Sequence, residues 1–241
     1  MGDFVSLGFA LVTPHALQGW EDKSVPPVFY TPSTCLCDLY PSSDLLGWQG
    51  KESQLDGHYA SLGLSHAESK ALTEHLQTLF DRRLWGLDSI FAELPEARAV
   101  ARRWLSGVAD LKLLGMELPG DWLASFLAVY QDGNGKDICA QGKGFAAQAG
   151  AAVQGGRILG FEVLGVDAWS DTHTSACSDV RQDFRAGFGA EFNAHGFLTT
   201  LQQAELAARE YMFEADGSGI EDCDWFPVRI SEWALEAPHE I

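Results

Sequence analysis

The sequence predicts an α+β fold: a helical middle region packed on a mixed or antiparallel sheet, in a single compact domain. Three observations carry this reading. Residues 1–64 alternate turn signals with short apolar runs, the mark of strands and long loops. Residues 65–156 show mainly helical spacing of apolar side chains, with capping residues in place. Residues 157–241 are an acidic α+β part that opens on the near-continuous apolar run Ile158–Val166. No internal repeat or long linker divides the 241 residues, and 46% hydrophobic content is ample for one core.

Taken in order, Phe4–Val12 reads as the first strand. Thr13-Pro14, Pro26-Pro27, Thr31-Pro32 and Asp56-Gly57 are turns, with short apolar runs at Val28–Tyr30 and Cys35–Tyr40. Trp20, Tyr30, Tyr40 and Trp48 read as lids over the core. Ser65-His66-Ala67-Glu68 is a capping box, in which the Ser oxygen and the Glu carboxylate each satisfy a free amide. Leu72, His75, Leu76 and Leu79 follow near helical spacing. A second helix starts at Leu94-Pro95, since proline suits the first turn. Its apolar stripe is Ala97, Val100, Ala101, Trp104, Leu105 and Val108, its basic face Arg98, Arg102 and Arg103, and Gly115 its stop. A third helix covers Asp121–Tyr130, with Trp122, Phe126 and Val129 or Tyr130 inside. The alanine-rich Phe145–Val153 reads as a short helix.

Ile158–Val166 is the clearest strand. Its unbroken apolar character implies burial on both faces, so Phe161 belongs in the core and Glu162 is at a polar margin or paired. Val180, Phe184 and Phe188, four apart, define a helix over Ser178–Phe188. Thr199 caps a helix over Leu201–Phe213. Trp225–Trp233 is a closing strand, which Pro227 assigns to a sheet edge because proline cannot donate to a ladder.

Charge is unevenly placed. The net charge is −18, and residues 161–241 hold 16 Asp and Glu against four Arg and no Lys, a net of −12. This asymmetry argues against nucleic-acid binding, which needs a basic footprint. It suits steering of a basic protein partner over about 8–10 Å of screening length. Acidity of this degree also serves solubility alone. Five cysteines, Cys35, Cys37, Cys139, Cys177 and Cys223, are odd in number and scattered, which is no disulfide framework and fits a reducing compartment. No apolar run reaches membrane-span length, and Asp3 stands where a secretory signal carries Lys or Arg. The expected location is the cytoplasm.

No catalytic signature stands out. Asp132-Gly133-Asn134-Gly135-Lys136-Asp137 starts like a calcium loop but has Lys136 at a ligand position and Lys143 where a bidentate Glu is needed. Asp216-Gly217-Ser218-Gly219 with Glu221, Asp222 and Asp224 fails similarly. Asp171, His173, Ser175 and Cys177 share one face if the segment is a strand, forming either a polar pocket or a structural strand face. The pocket alternative is a small hydrolase around Asp171–Cys177. No metal site or cofactor is implied.

Leu159-Gly160-Phe161-Glu162-Val163-Leu164-Gly165, His173 with Cys177 four residues on, and Phe192-Asn193-Ala194-His195-Gly196-Phe197-Leu198 before a Thr-capped helix form one pattern. It resembles a group of poorly characterised bacterial proteins similar to the immunity proteins of polymorphic toxin systems. The resemblance covers about residues 95–235. The group has Ser directly after the His, where this chain has Thr174. The resemblance implies a protein that binds and occludes a cognate toxin delivered between competing cells, without catalysis. A toxin acting on nucleic acid has a basic cleft, and an acidic inhibitor complements it. The expected partner-binding residues are Asp167, Asp171, Asp179 and Asp183 as an acidic rim, with Trp169 as anchor. Oligomeric state and toxin identity stay open.

Overall fold

Nine residues of extended chain, β1 (Phe4–Val12), begin a curled antiparallel sheet in a computed structural model of the chain. The structure describes residues 3–16, 26–32, 46, 58–86, 89–132, 134–136, 143–144, 150, 154–166, 172–177, 180–211 and 223–236. Cys35–Tyr40, Trp20, Trp48 and, apart from Gly150, Phe145–Val153 lie outside the described residues.

The other strands are β2 (His15–Ala16), β3 (Val28–Phe29), β4 (Ile90–Phe91), β5 (Lys112–Pro119), β6 (Arg157–Val166), β7 (Thr172–Thr174) and β8 (Asp224–Trp233). Six of them form one sheet in the order β4-β1-β5-β8-β6-β7, every pair antiparallel, and β2 pairs with β3. The helices are α1 (His66–Asp81), α2 (Leu94–Trp104), α3 (Leu123–Ala128), α4 (Val180–Phe188) and α5 (Leu201–Leu206). The fold is a single α+β domain, as the sequence implies.

The register sorts the core by sheet face. One face presents Ala10, Leu114, Met116, Val228, Ile230 and Leu164 to Phe29, Phe126, Tyr130 and Phe197. The opposite face carries helices at both ends. Phe9, Leu11, Leu113 and Trp233 pack α1 and α2. Val163 and Trp225 pack Phe184 of α4 and Ala204, Ala207 and Ala208 at and after α5.

The capping box at Ser65 is present: the Glu68 amide donates to Ser65 Oγ at 3.4 Å and the Ser65 amide to Glu68 Oε2 at 2.9 Å. The hydrogen bonds from Ser65 hold the Glu68 carboxyl below its ordinary pKa. Leu72, Leu76 and Leu79 are the buried stripe of α1. His75 sits on its flank, its ring centroid 4.8 Å from that of Trp104. His75 Nε2 is buried without a hydrogen-bond partner among the described residues. Burial, aided by Arg103 and Arg82 and opposed by Glu96, holds the imidazole below its ordinary value of 6.5. The unfolded chain therefore takes up a proton that the folded chain resists. By linkage, this contribution is nil at high pH and destabilises as pH falls below about 6.5. Thermal melts from about pH 7.5 to about pH 5.5 should show a steeper loss for the native chain than for His75→Phe. Parallel curves would show that His75 does not contribute.

Five expectations are corrected. Gly115 does not stop the second helix, which ends at Trp104; it lies at the centre of a strand, Lys112–Pro119. That strand is buried on both faces, so its run Leu113–Leu118 lacks the alternation that separates strand from helix. Gly115 is required where it lies: a Cβ there would meet Trp233 Nε1 at 2.5 Å. Pro227 does not mark an edge strand, since β8 lies between β5 and β6. It pairs with Val163 on β6, whereas the β5 ladder stops at Glu117↔Arg229, so Pro227 belongs to the stretch of β8 laddered on one side only. β6 is not buried throughout: Phe161 is half-buried and Ile158 is 57% exposed. The third helix is short, a 3₁₀ turn over Gly120–Trp122 followed by α3. At α5 the cap is Thr200, whose side chain accepts from the Gln203 amide, and the helix continues as a π turn over Ala207–Tyr211.

Candidate functional site

Burying a carboxylate in an apolar strand requires a partner. Glu162, midway along β6, is fully buried, and the partner is Arg181 in the first turn of α4, also fully buried. Arg181 Nη2 donates to Glu162 Oε2 at 2.7 Å. The other carboxylate oxygen accepts from the Val163 amide at 2.9 Å and from Ser175 Oγ at 2.6 Å. Arg181 Nε donates to Ser175 Oγ at 3.0 Å and Nη1 to the Gly196 carbonyl at 2.7 Å. The guanidinium also lies over the Phe192 ring, 4.7 Å from its centroid. One ion pair thus joins β6, the turn after β7, α4 and the loop 193–198.

That loop is docked by the second polar device. Asn193 Nδ2 donates to the Leu159 carbonyl at 2.7 Å, and Asn193 Oδ1 accepts from the amides of His195 and Phe197. Phe161 and Leu198 exchange backbone hydrogen bonds of 2.9 and 2.8 Å, so the loop extends the sheet beside β6 where β7 ends. Gly160 permits this approach. It sits at a register shift with φ +148°, and a Cβ on it would meet Asn193 Nδ2 and Phe197 Cβ, each at 2.7 Å. The segments 159–165 and 192–198, which carry the resemblance in the sequence, are therefore packed on each other.

The expected strand face of Asp171, His173, Ser175 and Cys177 does not form. β7 ends at Thr174, and Ser175–Cys177 turns away as a 3₁₀ turn. His173 and Thr174 are buried, and Thr174 Oγ1 accepts from the Ala176 amide at 3.3 Å. Thr174 is thus a structural residue. The Ser175 hydroxyl donates to Glu162, accepts from Arg181 Nε and is fully buried, so Ser175 is part of the scaffold. Glu162 was legible as a carboxylate needing a partner; nothing in the spacing singled out Arg181 over the other arginines.

Of the five expected partner-binding residues, Asp167, Trp169, Asp171 and Asp179 lie outside the described residues, and Asp183 is exposed on α4. The register still places their flanks. Val166 is opposite both Thr172 of β7 and Asp224 of β8. The connections 167–171 and 212–223 therefore attach to the same end of the sheet. The first carries Asp167 and Asp171, the second Glu214, Asp216, Glu221 and Asp222, with Asp224 exposed at its end, and neither contains Lys or Arg.

Asp132 makes a turn rather than an open ligand set: its Oδ1 accepts from the amides of Asn134 and Lys136 at 2.8 and 2.9 Å. Those bonds hold its carboxyl below the ordinary range. Among the described residues, no group of three His, Cys, Asp or Glu is placed to share a metal ion, and no helix is long and apolar enough to cross a membrane. These features define the class: a single α+β domain on an antiparallel sheet, internally stapled by a buried ion pair. Comparison with protein-family models, curated proteins and solved structures gives no significant match.

Proposed function

We propose that this protein is an immunity protein that binds and occludes a cognate toxin, acting in the cytoplasm against a basic, nucleic-acid-targeting partner. The observation that carries the proposal is the attachment of two acid-rich connections, free of Lys and Arg, at one end of a rigid sheet. An acidic surface raised on a stapled scaffold suits a basic cleft, because fixed charges steer encounter and set register. The burial of Ser175 within the scaffold favours this reading over a hydrolase at Asp171–Cys177.

The test is binding to the product of the adjacent gene, first by co-purification and then by kinetics at two salt concentrations. Reversing Asp167, Asp171 and Asp179 to Lys should slow association about tenfold at low salt and flatten its salt dependence, with the fold intact. Trp169→Ala should act on dissociation. Unchanged association rates and salt dependence in the triple variant would leave the acidity as a solubility feature.

A further inference from the structure

At the opposite end of β8 from Asp224, the chain leaves the sheet through Leu235 and Glu236 and passes the C-terminal end of α2. A cavity of about 320 Å³ lies there. Its apolar floor includes Leu105, fully buried, with Val108 and Leu235 half-buried. Asp110, Glu236 and Arg102 stand at its rim, all exposed. The volume falls in the range of small-molecule sites, which pair an apolar lining with a few polar groups that orient the ligand.

The charge at the rim selects the ligand. Among the lining residues two carboxylates stand with one guanidinium, and Arg98, one turn earlier on α2, is engaged with the Ala234 carbonyl, to which its Nε donates at 3.0 Å. α2 ends here as well, at Trp104 with Leu105 as its cap, and the carbonyls of a last helical turn have no partners further along the helix. They add a partial negative charge at this end. Asp110 is held with φ +54°, a backbone conformation uncommon outside glycine, though asparagine and aspartate tolerate it best. The backbone bend that directs the chain from α2 into β5 thereby sets a carboxylate on the lip of the cavity. Among the described residues, neither Asp110 nor Glu236 is in an ion pair with a basic side chain.

We propose that this cavity is a binding site for a small organic cation: an ammonium group on a short apolar or aromatic body. The body fills the floor over Leu105, Val108 and Leu235, and the ammonium group lies between Asp110, Glu236 and the end of α2. Arg102, exposed on the helix, is the one cation among the lining residues. The site lies at the opposite end of β8 from the acid-rich connections.

The test uses methyl-resolved NMR titration of the full chain with three probes of one shape: 2-phenylethylammonium, 2-phenylethanol and 3-phenylpropanoate. The ammonium should shift the methyl signals of Leu105, Val108 and Leu235 with saturation. The alcohol should bind about fivefold or more weakly, the scale of a partly exposed ionic contact, and the carboxylate more weakly still. In Asp110→Asn/Glu236→Gln, whose changes are at the surface, the ammonium should fall to the affinity of the alcohol. Val108→Trp, which fills the cavity, should abolish the shifts for all three. Equal affinity for the three probes, an undiminished ammonium affinity in the double variant, or no saturating shift at these methyls with any probe would overturn the proposal.

Discussion

Arg181→Met should destabilise the protein by about 3–5 kcal/mol, the largest effect expected of any single substitution in the acidic third. The variant leaves the Glu162 carboxylate fully buried, with only the Val163 amide and the Ser175 hydroxyl to satisfy it. Methionine roughly replaces the arginine stem, so lost packing contributes little and the cost is that of an uncompensated charge. Gly196 also loses the donor to its carbonyl, which loosens the loop 193–198. For a chain of this length the melting temperature should fall by about 6–20 °C. The double variant Glu162→Leu/Arg181→Met should recover most of the loss, because an apolar pair escapes the desolvation cost that the ions bear. A loss below about 1 kcal/mol in Arg181→Met would mean that Glu162 reaches solvent or another base.

Gly160→Ala should cost about 2–4 kcal/mol, by overpacking added to backbone strain. The new methyl would meet Phe197 Cβ and Asn193 Nδ2 at 2.7 Å and the Leu198 carbonyl at 3.0 Å. Two of these atoms belong to backbone or to a Cβ, so no rotamer change relieves the contact. The φ of +148° adds strain for any side chain. Two controls separate the causes. Gly189→Ala, at φ +67° with nothing within 4 Å, should show only the conformational penalty, and Gly107→Ala, in open space at an ordinary φ, should be near neutral. Denaturant unfolding measures all three. Equal losses at Gly160 and Gly189 would show that the loop moves away from β6 without cost, and would remove Gly160 as the reason the two segments pack.

The two variants probe one assembly from its two sides. Arg181 pulls the loop inward through Gly196, and Gly160 lets the loop close on β6. If this region is a scaffold, both substitutions should lower stability while affinity for the proposed partner is kept in the fraction that stays folded. That separation distinguishes a folding motif from a contact surface.

Local physics decided much of this fold in advance. The Ser65–Glu68 capping box, the stripe Ala97–Val100–Ala101–Trp104 and the apolar run of β6 each express a rule that acts within a few residues, so each is readable from the chain. The charge asymmetry, too, is a property of the chain alone. Tertiary structure decided the rest. Lys112–Pro119 is laddered between β1 and β8 and packed on both faces, and an apolar run covered on both sides carries no period to read. Pro227 is tolerated inside the sheet because the β5 ladder ends two residues away along β8, a matter of relative strand length. Glu162 demanded a counter-charge, but its choice of Arg181 depends on where α4 begins in space. The strand ends that flank the acid-rich connections 167–171 and 212–223 lie at one end of the sheet because Val166 pairs with both Thr172 and Asp224. A sequence states how many charges a chain carries, whereas only pairing between distant segments decides which of them share a surface.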